Sequence, residues 1–310
     1  MRHISAKEVR ENLSMAKAIE AMEIAFQDLS SGKAIVPDRL PMHTDTASEY
    51  LFMPAYYPSG GITTIKSVSI NATNTERGLP FIHAVILVFD NDSGQPIATI
   101  DGGEVTAIRT AAASGLATKL FANSESRIAA IFGTGVQARS HIEAITAVRS
   151  LDEVLIFGSS PEKSLSFCDE FQEQFEIDLL PGNEQIDLKS ADIICTTTTS
   201  NTPVFQHENV KQGAHINAVG AFKPDCREIP SRTVIESEVF IDQFEGVMAE
   251  AGDLLIPLSK GEIDKDHFRR EIGKVLSGEI EYQWSENKIT LFKSVGNAIQ
   301  DAAAAYVLIN

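Results

Sequence analysis

The apolar residues of the first part of the chain follow a helical spacing. They predict an amphipathic helix from about Met15 to Ser31. Its apolar stripe consists of Met15, Ile19, Met22, Phe26 and Leu29. Ser14 is expected to be the N-cap of this helix, and Gly32 is expected to end it.

Between Tyr50 and Ile100 the pattern is that of strands, with turns at YYPSGG and DNDSGQP. The run FIHAVILVF is apolar on both faces, which predicts a central strand. The following stretch, GGEVTAIRTAAASGLATKLFA, has small residues at helical spacing and predicts a closely packed helix. The chain ends with ITLFKSVGNAIQDAAAAYVLIN, which predicts another small-residue helix that returns to complete this first domain.

From Ser126 onward, short apolar runs alternate with helical or mixed segments. The runs are RIAAIFG, EVLIFG, ADIICTTTT, GAHINAVGA and SEVFIDQ. Strands that alternate with helices imply right-handed crossovers and a parallel sheet. The predicted fold class is therefore α/β, with a doubly wound parallel sheet in this part of the chain.

A glycine-rich loop follows the first of these runs. Gly133, Gly135 and Ala138 match the pattern G-x-G-x-x-[G/A], with a predicted strand before it and a predicted helix after it. The amides at the start of that helix would face a pyrophosphate. The alternative is a tight turn that only joins a strand to a helix.

The form of the cofactor depends on the end of the next strand, which reads FGSSPEK. An acid at its tip would favour NAD, but Ser159, Ser160 and Lys163 stand there instead. Hydroxyls and a cation can accept a 2′-phosphate, which favours NADPH, with NADH still possible. In the alternative interpretation, Lys163 is a solvated helix residue.

Two basic residues lie on faces that should be buried. Arg109 lies on the same face of its predicted helix as Val105 and Leu116. Lys66 lies on the same face of its predicted strand as Ile62 and Val68. Arg109 could bind a carboxylate with its planar fork, and Lys66 could donate a proton to a substrate. Both could instead be structural, an arginine with a packed stem and a lysine on an edge strand.

Composition excludes several classes of function. The 310 residues include 26 basic and 43 acidic residues, a formal net charge of −17, which disfavours nucleic acid and anionic membranes as partners. The polar N-terminus does not have the pattern of a signal peptide, and the longest apolar run is too short to span a bilayer. The three cysteines lack metal-ligand spacing and indicate free thiols, no metal site and a cytoplasmic protein.

An ordered set of segments supports a more specific assignment. They are DNDSGQPIATIDGGEVTAIRTAAASGLATKLFA, IFGTGVQARSH, ADIICTTTTS, NAVGAFKPDCRE and LFKSVGNAIQD. Together they resemble the ornithine cyclodeaminase/mu-crystallin family over nearly the whole chain. The resemblance implies a Rossmann domain, 119–292, inserted in a substrate-binding and dimerisation domain, 1–118 plus 293–310. It also implies a homodimer, a nicotinamide cofactor and a 2-amino or 2-imino acid substrate.

The resemblance also implies roles for individual residues. Arg39, Lys66 and Arg109 would surround the substrate carboxylate and the reacting carbon. Contacts with the cofactor are implied for Thr110, Thr134, Gly135, Val136, Gln137, Ser159, Thr197, Val219 and Ser294.

Two departures from the family pattern define the expected substrate. Cyclodeaminases of this family carry an aspartate after a glycine pair and a glutamate before the sequence LMP; here Phe222 and Leu51 occupy those positions. An apolar pocket suits a small cyclic ketimine, and the resemblance implies reduction of Δ1-pyrroline-2-carboxylate to L-proline, or of Δ1-piperideine-2-carboxylate to L-pipecolate. The alternatives are an ornithine cyclodeaminase, an alanine-type amino-acid dehydrogenase, or a non-catalytic protein that binds NADPH and a small effector.

Overall fold

The computed structural model describes residues 1–44, 48–183 and 187–310, without the side chains of Ala72 and Thr75. The chain divides into two compact units. Unit 1 comprises Met1–Thr110 and Asn297–Asn310, and unit 2 comprises Ala111–Gly296. Strands and helices are numbered below in chain order. No helix in the described part of the chain combines the length and the apolar character needed to cross a membrane.

Unit 1 contains a six-stranded sheet in the order β1-β6-β5-β4-β3-β2. Its strands are β1 (Arg2–Ile4), β2 (Leu40–His43), β3 (Ser48–Tyr57), β4 (Ile62–Asn71), β5 (Ile82–Asp90) and β6 (Pro96–Asp101). The pairs are antiparallel except for β1 and β6. Its helices are α1 (Ala6–Asn12), α2 (Met15–Ser30), the first part of α3 (Gly102–Phe121) and α10 (Ala298–Ile309), which packs against α2, β3 and β4.

The first predicted helix is confirmed as α2. The Ser14 hydroxyl accepts a hydrogen bond from the backbone N–H of Lys17, and Gly32 follows the helix with φ = 72°. Met22 and Phe26 on the predicted stripe are fully buried. Local capping and the packed stripe therefore both favour the helix at these positions.

The run FIHAVILVF forms β5, which lies inside the sheet between β4 and β6 as predicted. Its two faces have different surroundings. Ile86 and Val88 are fully buried, whereas Val85 on the opposite face is 45% exposed. An antiparallel sheet can pack on one face only, so the apolar outer face of this sheet is open in the single chain.

Unit 2 contains an eight-stranded sheet in the order β13-β12-β14-β11-β10-β7-β8-β9, and every pair in it is parallel. The strands are β7 (Ile128–Phe132), β8 (Glu153–Phe157), β9 (Asp178–Pro181), β10 (Ile193–Thr196), β11 (His215–Ala218), β12 (Ser237–Ile241), β13 (Arg270–Glu271) and β14 (Ile289–Lys293). The helices are the rest of α3, α4 (Val136–Thr146), α5 (Pro161–Phe171), α6 (Ser231–Glu236), α7 (Phe244–Glu250), α8 (Gly252–Ser259) and α9 (Ile272–Leu276).

The prediction of one helix over the final segment was wrong for its first nine residues, Ile289 to Asn297. ITLFK is the strand β14, which lies between β11 and β12 with all five residues buried. A short apolar run has no periodicity that separates a buried strand from a buried helix. The helix begins only after Asn297, so unit 2 extends to Gly296 rather than to the predicted residue 292. The other division, after Thr110, also differs from the predicted 118, because it falls within the continuous helix α3.

Candidate functional site

The carboxyl ends of five neighbouring strands form one edge of the sheet in unit 2. The register aligns Phe132 with Phe157 and Thr196, Thr196 with Ala218, and Ala218 with Lys293. The predicted cofactor residues directly follow this row: Gly133, Thr134, Ser159, Thr197, Val219 and Ser294. Ligands of open α/β sheets bind at this edge.

The glycine loop joins β7 to α4 at this edge. Gly133 has φ = 119°, and a Cβ added there would lie 2.6 Å from Thr197 Oγ1, so the position requires glycine. A Cβ added at Gly135, the N-cap of α4, would meet no atom of the described residues within 4 Å. No described side chain caps α4, its first turn carries no acid, and Val136 is 66% exposed. Gln137 belongs to the same first turn. This helix start is open to an anion, as a pyrophosphate site requires.

The two glycines should respond differently to substitution. Gly133→Ala is expected to destabilise the protein by roughly 1–3 kcal/mol, because the new Cβ adds strain at positive φ and contacts Thr197. Gly135→Val should leave the midpoint of urea unfolding unchanged and weaken NADPH binding at least about tenfold, as expected for one lost charge-assisted hydrogen bond. Fluorescence titration with NADPH measures the second effect. Wild-type affinity in Gly135→Val would exclude this loop as the phosphate site.

The segment after β8 brings hydroxyls, a cation and an acid together. Lys163 Nζ donates to Ser159 Oγ at 3.0 Å, and Ser160 caps α5 by accepting from the Lys163 amide. A hydrogen bond from the Ser160 side chain lowers the pKa of Glu162. Glu162 was not predicted as a site residue, because it lies in the first turn of α5 and not at the strand tip, where an acid would favour NAD.

The side chains of Thr197 and Ser294 are engaged within the protein. The Thr197 hydroxyl donates to the Phe132 carbonyl at 2.8 Å, and the buried Ser294 hydroxyl donates to Asp242 Oδ2 at 2.7 Å. The Val219 amide donates to the Thr196 carbonyl at 3.1 Å. These contacts shape the sheet edge and leave the predicted roles of the three residues in cofactor binding as predictions.

A buried ionic network that was not predicted from the sequence lies behind this edge. Glu228 accepts hydrogen bonds from the Thr198 amide at 2.7 Å and from the Ala221 amide at 3.0 Å. Asp253 accepts from the Glu228 amide and from Lys293 Nζ, both at 2.7 Å. Burial raises the pKa of Glu228. Phe222 is half-buried and directly follows Ala221. The hydrogen bond from the Ala221 amide to Glu228 therefore fixes the backbone next to Phe222.

In unit 1, Lys66 lies on the inner face of the sheet. The cross-strand row reads Met53, Lys66, Ile86 and Ile100, and all four are buried. Burial lowers the pKa of Lys66 to about 7, with Asp301 opposing this shift and Arg109 and Arg39 adding to it. A lysine whose pKa lies near neutrality can donate a proton under ordinary conditions.

Lys66 and Arg109 meet at one carboxylate. Lys66 Nζ lies 2.8 Å from Oδ1 and 2.7 Å from Oδ2 of Asp301, and Arg109 Nε lies 3.2 Å from Oδ1. Arg109 Nη1 donates to Gln300 Oε1 at 2.6 Å. Asp301 and Gln300 were not predicted as site residues from the sequence. The available signal was two polar residues directly before the apolar run AAAAYVLI, on a helix that is buried on most sides.

The other predicted substrate residues of unit 1 lie around this cluster. Arg39 is half-buried directly before β2, close enough for its charge to lower the pKa of Lys66. Leu51 is 8% exposed and pairs with Val68, on the same sheet face as Lys66. Thr110 follows Arg109 on α3 and is half-buried. This cluster of unit 1 thus combines three cations, the buried carboxylate of Asp301 and an apolar wall.

The described residues contain no group of three or more His, Cys, Asp and Glu side chains that could hold a metal ion. The three cysteines are free, with Cys168 and Cys195 buried.

Comparison with known proteins places these features in a family. The chain is 34% identical over 308 residues to a Δ1-pyrroline-2-carboxylate reductase of Bacillus cereus, covering 98% of this chain and 94% of that protein. The structure of the Thermococcus litoralis Δ1-pyrroline-2-carboxylate reductase in complex with NADH and L-proline matches with a TM-score of 0.95 and 36% identity, covering 99% of this chain and 96% of that chain. An archaeal alanine dehydrogenase dimer with bound NAD matches with a TM-score of 0.92 and 29% identity, covering 99% and 94%.

The family model described as ornithine cyclodeaminase/mu-crystallin matches residues 2–310. The glycine loop, the GAFKPD segment and the QD pair before the final apolar run all lie within the matched range. This chain belongs to the ornithine cyclodeaminase/mu-crystallin family.

Proposed function

We propose that this protein reduces Δ1-pyrroline-2-carboxylate to L-proline with NADPH, as a cytoplasmic enzyme of proline metabolism. The observation that carries the proposal is the buried cluster of Lys66, Asp301 and Arg109, which combines a proton donor with a carboxylate-binding cation. The similarity to two Δ1-pyrroline-2-carboxylate reductases supports the choice of substrate. The open start of α4 fits a dinucleotide pyrophosphate.

The residues of unit 1 account for binding and protonation. Arg109, assisted by Arg39, binds the substrate carboxylate and so fixes the plane of the C=N bond. Lys66 gives a proton to the imine nitrogen, becomes neutral and regains a proton from water. When bound, NADPH supplies the hydride that the imine carbon requires, so that the C=N bond becomes a CH–NH bond. Leu51 and Phe222 provide apolar surface in place of the two acids that a diamine substrate would need.

The preference for NADPH rests on Ser159 and Lys163. We expect Ser159→Asp to lower the ratio of kcat/KM for NADPH to kcat/KM for NADH at least about tenfold, because the new carboxylate repels a 2′-phosphate. Ser166→Asp adds the same charge at an exposed position further along α5 and should leave the ratio unchanged. If both variants keep the wild-type ratio, the 2′-phosphate does not bind at Ser159.

The outer face of the unit 1 sheet supports the homodimer. Exposed apolar side chains share that face: Leu40, Met42, Tyr56, Ile65 and Val85. Large exposed apolar patches mark association surfaces. We expect sedimentation velocity to show a dimer for the wild type and a monomer for Val85→Glu. Ile24→Glu, which changes an exposed apolar residue of α2, should remain dimeric, and a dimeric Val85→Glu would exclude this face.

A substrate panel tests the reaction itself. Nicotinamide absorbance is followed with Δ1-pyrroline-2-carboxylate, with Δ1-piperideine-2-carboxylate and with pyruvate plus ammonia, each with NADPH and with NADH. The proposal predicts the highest kcat/KM for Δ1-pyrroline-2-carboxylate with NADPH, and formation of L-proline. Activity only with pyruvate and ammonia would identify an alanine-type dehydrogenase. Tight NADPH binding without oxidation in any mixture would identify a non-catalytic binding protein.

A further inference from the structure

We propose that Asp301 is a positioning residue for this reaction. It holds Lys66 in its cationic form and, together with Thr106, directs the remaining N–H bond of Lys66 toward the substrate. The inference rests on the proposed function, since it assigns Lys66 the transfer of a proton to the imine nitrogen. Asp301 itself does not touch the reacting atoms; it acts through Lys66 and Arg109.

The hydrogen bonds of Lys66 define the direction of its remaining N–H bond. An ammonium group has three donors. One is directed to Asp301 Oδ1 and one to Thr106 Oγ1 at 3.3 Å. Asp301 Oδ2 lies 2.7 Å from Nζ but accepts no hydrogen bond from the described residues. Thr106 donates its own hydroxyl hydrogen to the Gly102 carbonyl at 2.6 Å, so it accepts from Lys66. The third N–H bond of Lys66 has no acceptor within the described part of the chain, and two fixed bonds determine its direction.

Arg109 is held in a similar way from α10. Its Nε bonds Asp301, and its Nη1 bonds the neighbouring Gln300. Its Nη2 has no acceptor among the residues that the structure describes, so this edge of the guanidinium is left for a substrate carboxylate. Two consecutive residues of one helix therefore orient the proton donor and the carboxylate-binding residue together. A loop would not fix both directions so firmly.

Asp301 also sets the charge balance of the cluster. The charged groups that act on Lys66 are Asp301 on α10, Arg109 on α3 and Arg39 before β2, whereas its neighbours on β3 and β5, Met53 and Ile86, are apolar. Asp301 is the one member of this set that favours the cation. Burial already lowers the pKa of Lys66 to about 7. Without the charge of Asp301, that pKa falls further, and Lys66 is neutral at the pH where the wild type still acts.

The test is the pH profile of Asp301→Asn, which keeps the shape of the side chain and removes its charge. A protonated Lys66 is lost as pH rises through its pKa, so kcat should fall on the alkaline side. In Asp301→Asn this decline should move to lower pH by about one unit or more, the size typical of a neighbouring opposite charge. Asp301→Glu keeps the charge but displaces it, so kcat should fall while the alkaline limb stays in place.

Asp28→Asn is the matched control, because Asp28 is also a buried aspartate of unit 1 and has no contact with Lys66 or Arg109 in the described part of the chain. It should leave the pH profile unchanged. A purely structural Asp301 would lower the active fraction equally at every pH, and an unshifted profile in Asp301→Asn would overturn the proposal.

A second measurement does not depend on turnover. Lysine side-chain ¹⁵N NMR, with the Lys66 signal assigned by its loss in Lys66→Met, reports the titration of Lys66 directly. We expect a midpoint near 7 in the wild type and a lower midpoint in Asp301→Asn. Equal midpoints would reject the charge role of Asp301 even if the protein reduced no ketimine. A shifted midpoint in a protein that is inactive on every imine would instead reject the proposed function, while the effect of Asp301 on the charge of Lys66 would stand. If Asp301→Asn does not fold, Asp301→Glu decides, because the proposal requires a wild-type midpoint and a reduced kcat in that variant.

Discussion

Replacing Lys66 by methionine is expected to lower kcat about 100-fold or more, the usual contribution of a positioned general acid. Methionine fills much of the same volume and retains the packing between Met53 and Ile86. It also removes one of the two cations that pair with Asp301, so kcat is expressed per folded enzyme. NADPH affinity should stay within about twofold of the wild type, since the predicted phosphate contacts belong to unit 2. Single-turnover kinetics separate the chemical step from binding.

The pKa of Lys66 determines the direction in which kcat changes with pH. The pKa of Lys66 is about 7, so the protonated donor is abundant below that pH and is lost above it. We therefore expect wild-type kcat to decline as pH rises through this region. Lys66→Arg keeps the positive charge but cannot release a proton at these pH values. It should be slow and should lack the alkaline decline. A kcat near that of the wild type in Lys66→Met would show that the proton comes from elsewhere.

Replacing Arg109 by leucine should raise KM for the ketimine carboxylate about 100-fold, because a buried charge-assisted contact of this kind is worth about 2–5 kcal/mol. The variant also removes one of the two cations that share Asp301, so a loss of stability is expected. Arg109→Lys retains the charge without the planar fork and should give an intermediate KM. Steady-state kinetics with varied substrate measure both.

A second arginine separates lost binding from lost stability. Arg149 donates to the carbonyls of Thr118 and Ala122 near the end of α3, at 2.7 and 2.9 Å. Arg149→Leu should lower the midpoint of thermal unfolding and leave KM for the substrate unchanged. If Arg109→Leu behaves like Arg149→Leu, with wild-type KM, Arg109 does not bind the carboxylate.

Several features of the fold were predictable because they depend on local order. The capped helix α2, the strands around the glycine loop and the parallel sheet all follow from periodicity and from Gly and Ser positions. The strand β14 was not predictable in this way. It is identified as a strand only by its pairing with β11 and β12, which are distant in the sequence.

The candidate site shows the same limit. The positions of Lys66 and Arg109 on apolar faces predicted that these cations are buried. They did not identify the anion that pairs with them. Asp301 lies 235 residues from Lys66 along the chain and 192 from Arg109. Glu228, Asp253 and Lys293 are likewise brought together by the sheet edge. Burial of a charge predicts a partner, whereas only the tertiary fold identifies it.

The most direct test of the proposed chemistry follows a single hydride. The protein is incubated with Δ1-pyrroline-2-carboxylate and NADPH that carries deuterium at C4 of the nicotinamide ring on the transferred face, and the L-proline formed is analysed by mass spectrometry. The account predicts one deuterium at C2 of each L-proline, matched by one oxidised cofactor. Unlabelled L-proline, or L-proline formed without net NADPH oxidation, would contradict it. Ammonia and L-proline formed from L-ornithine in a parallel incubation, without net NADPH oxidation, would identify a cyclodeaminase.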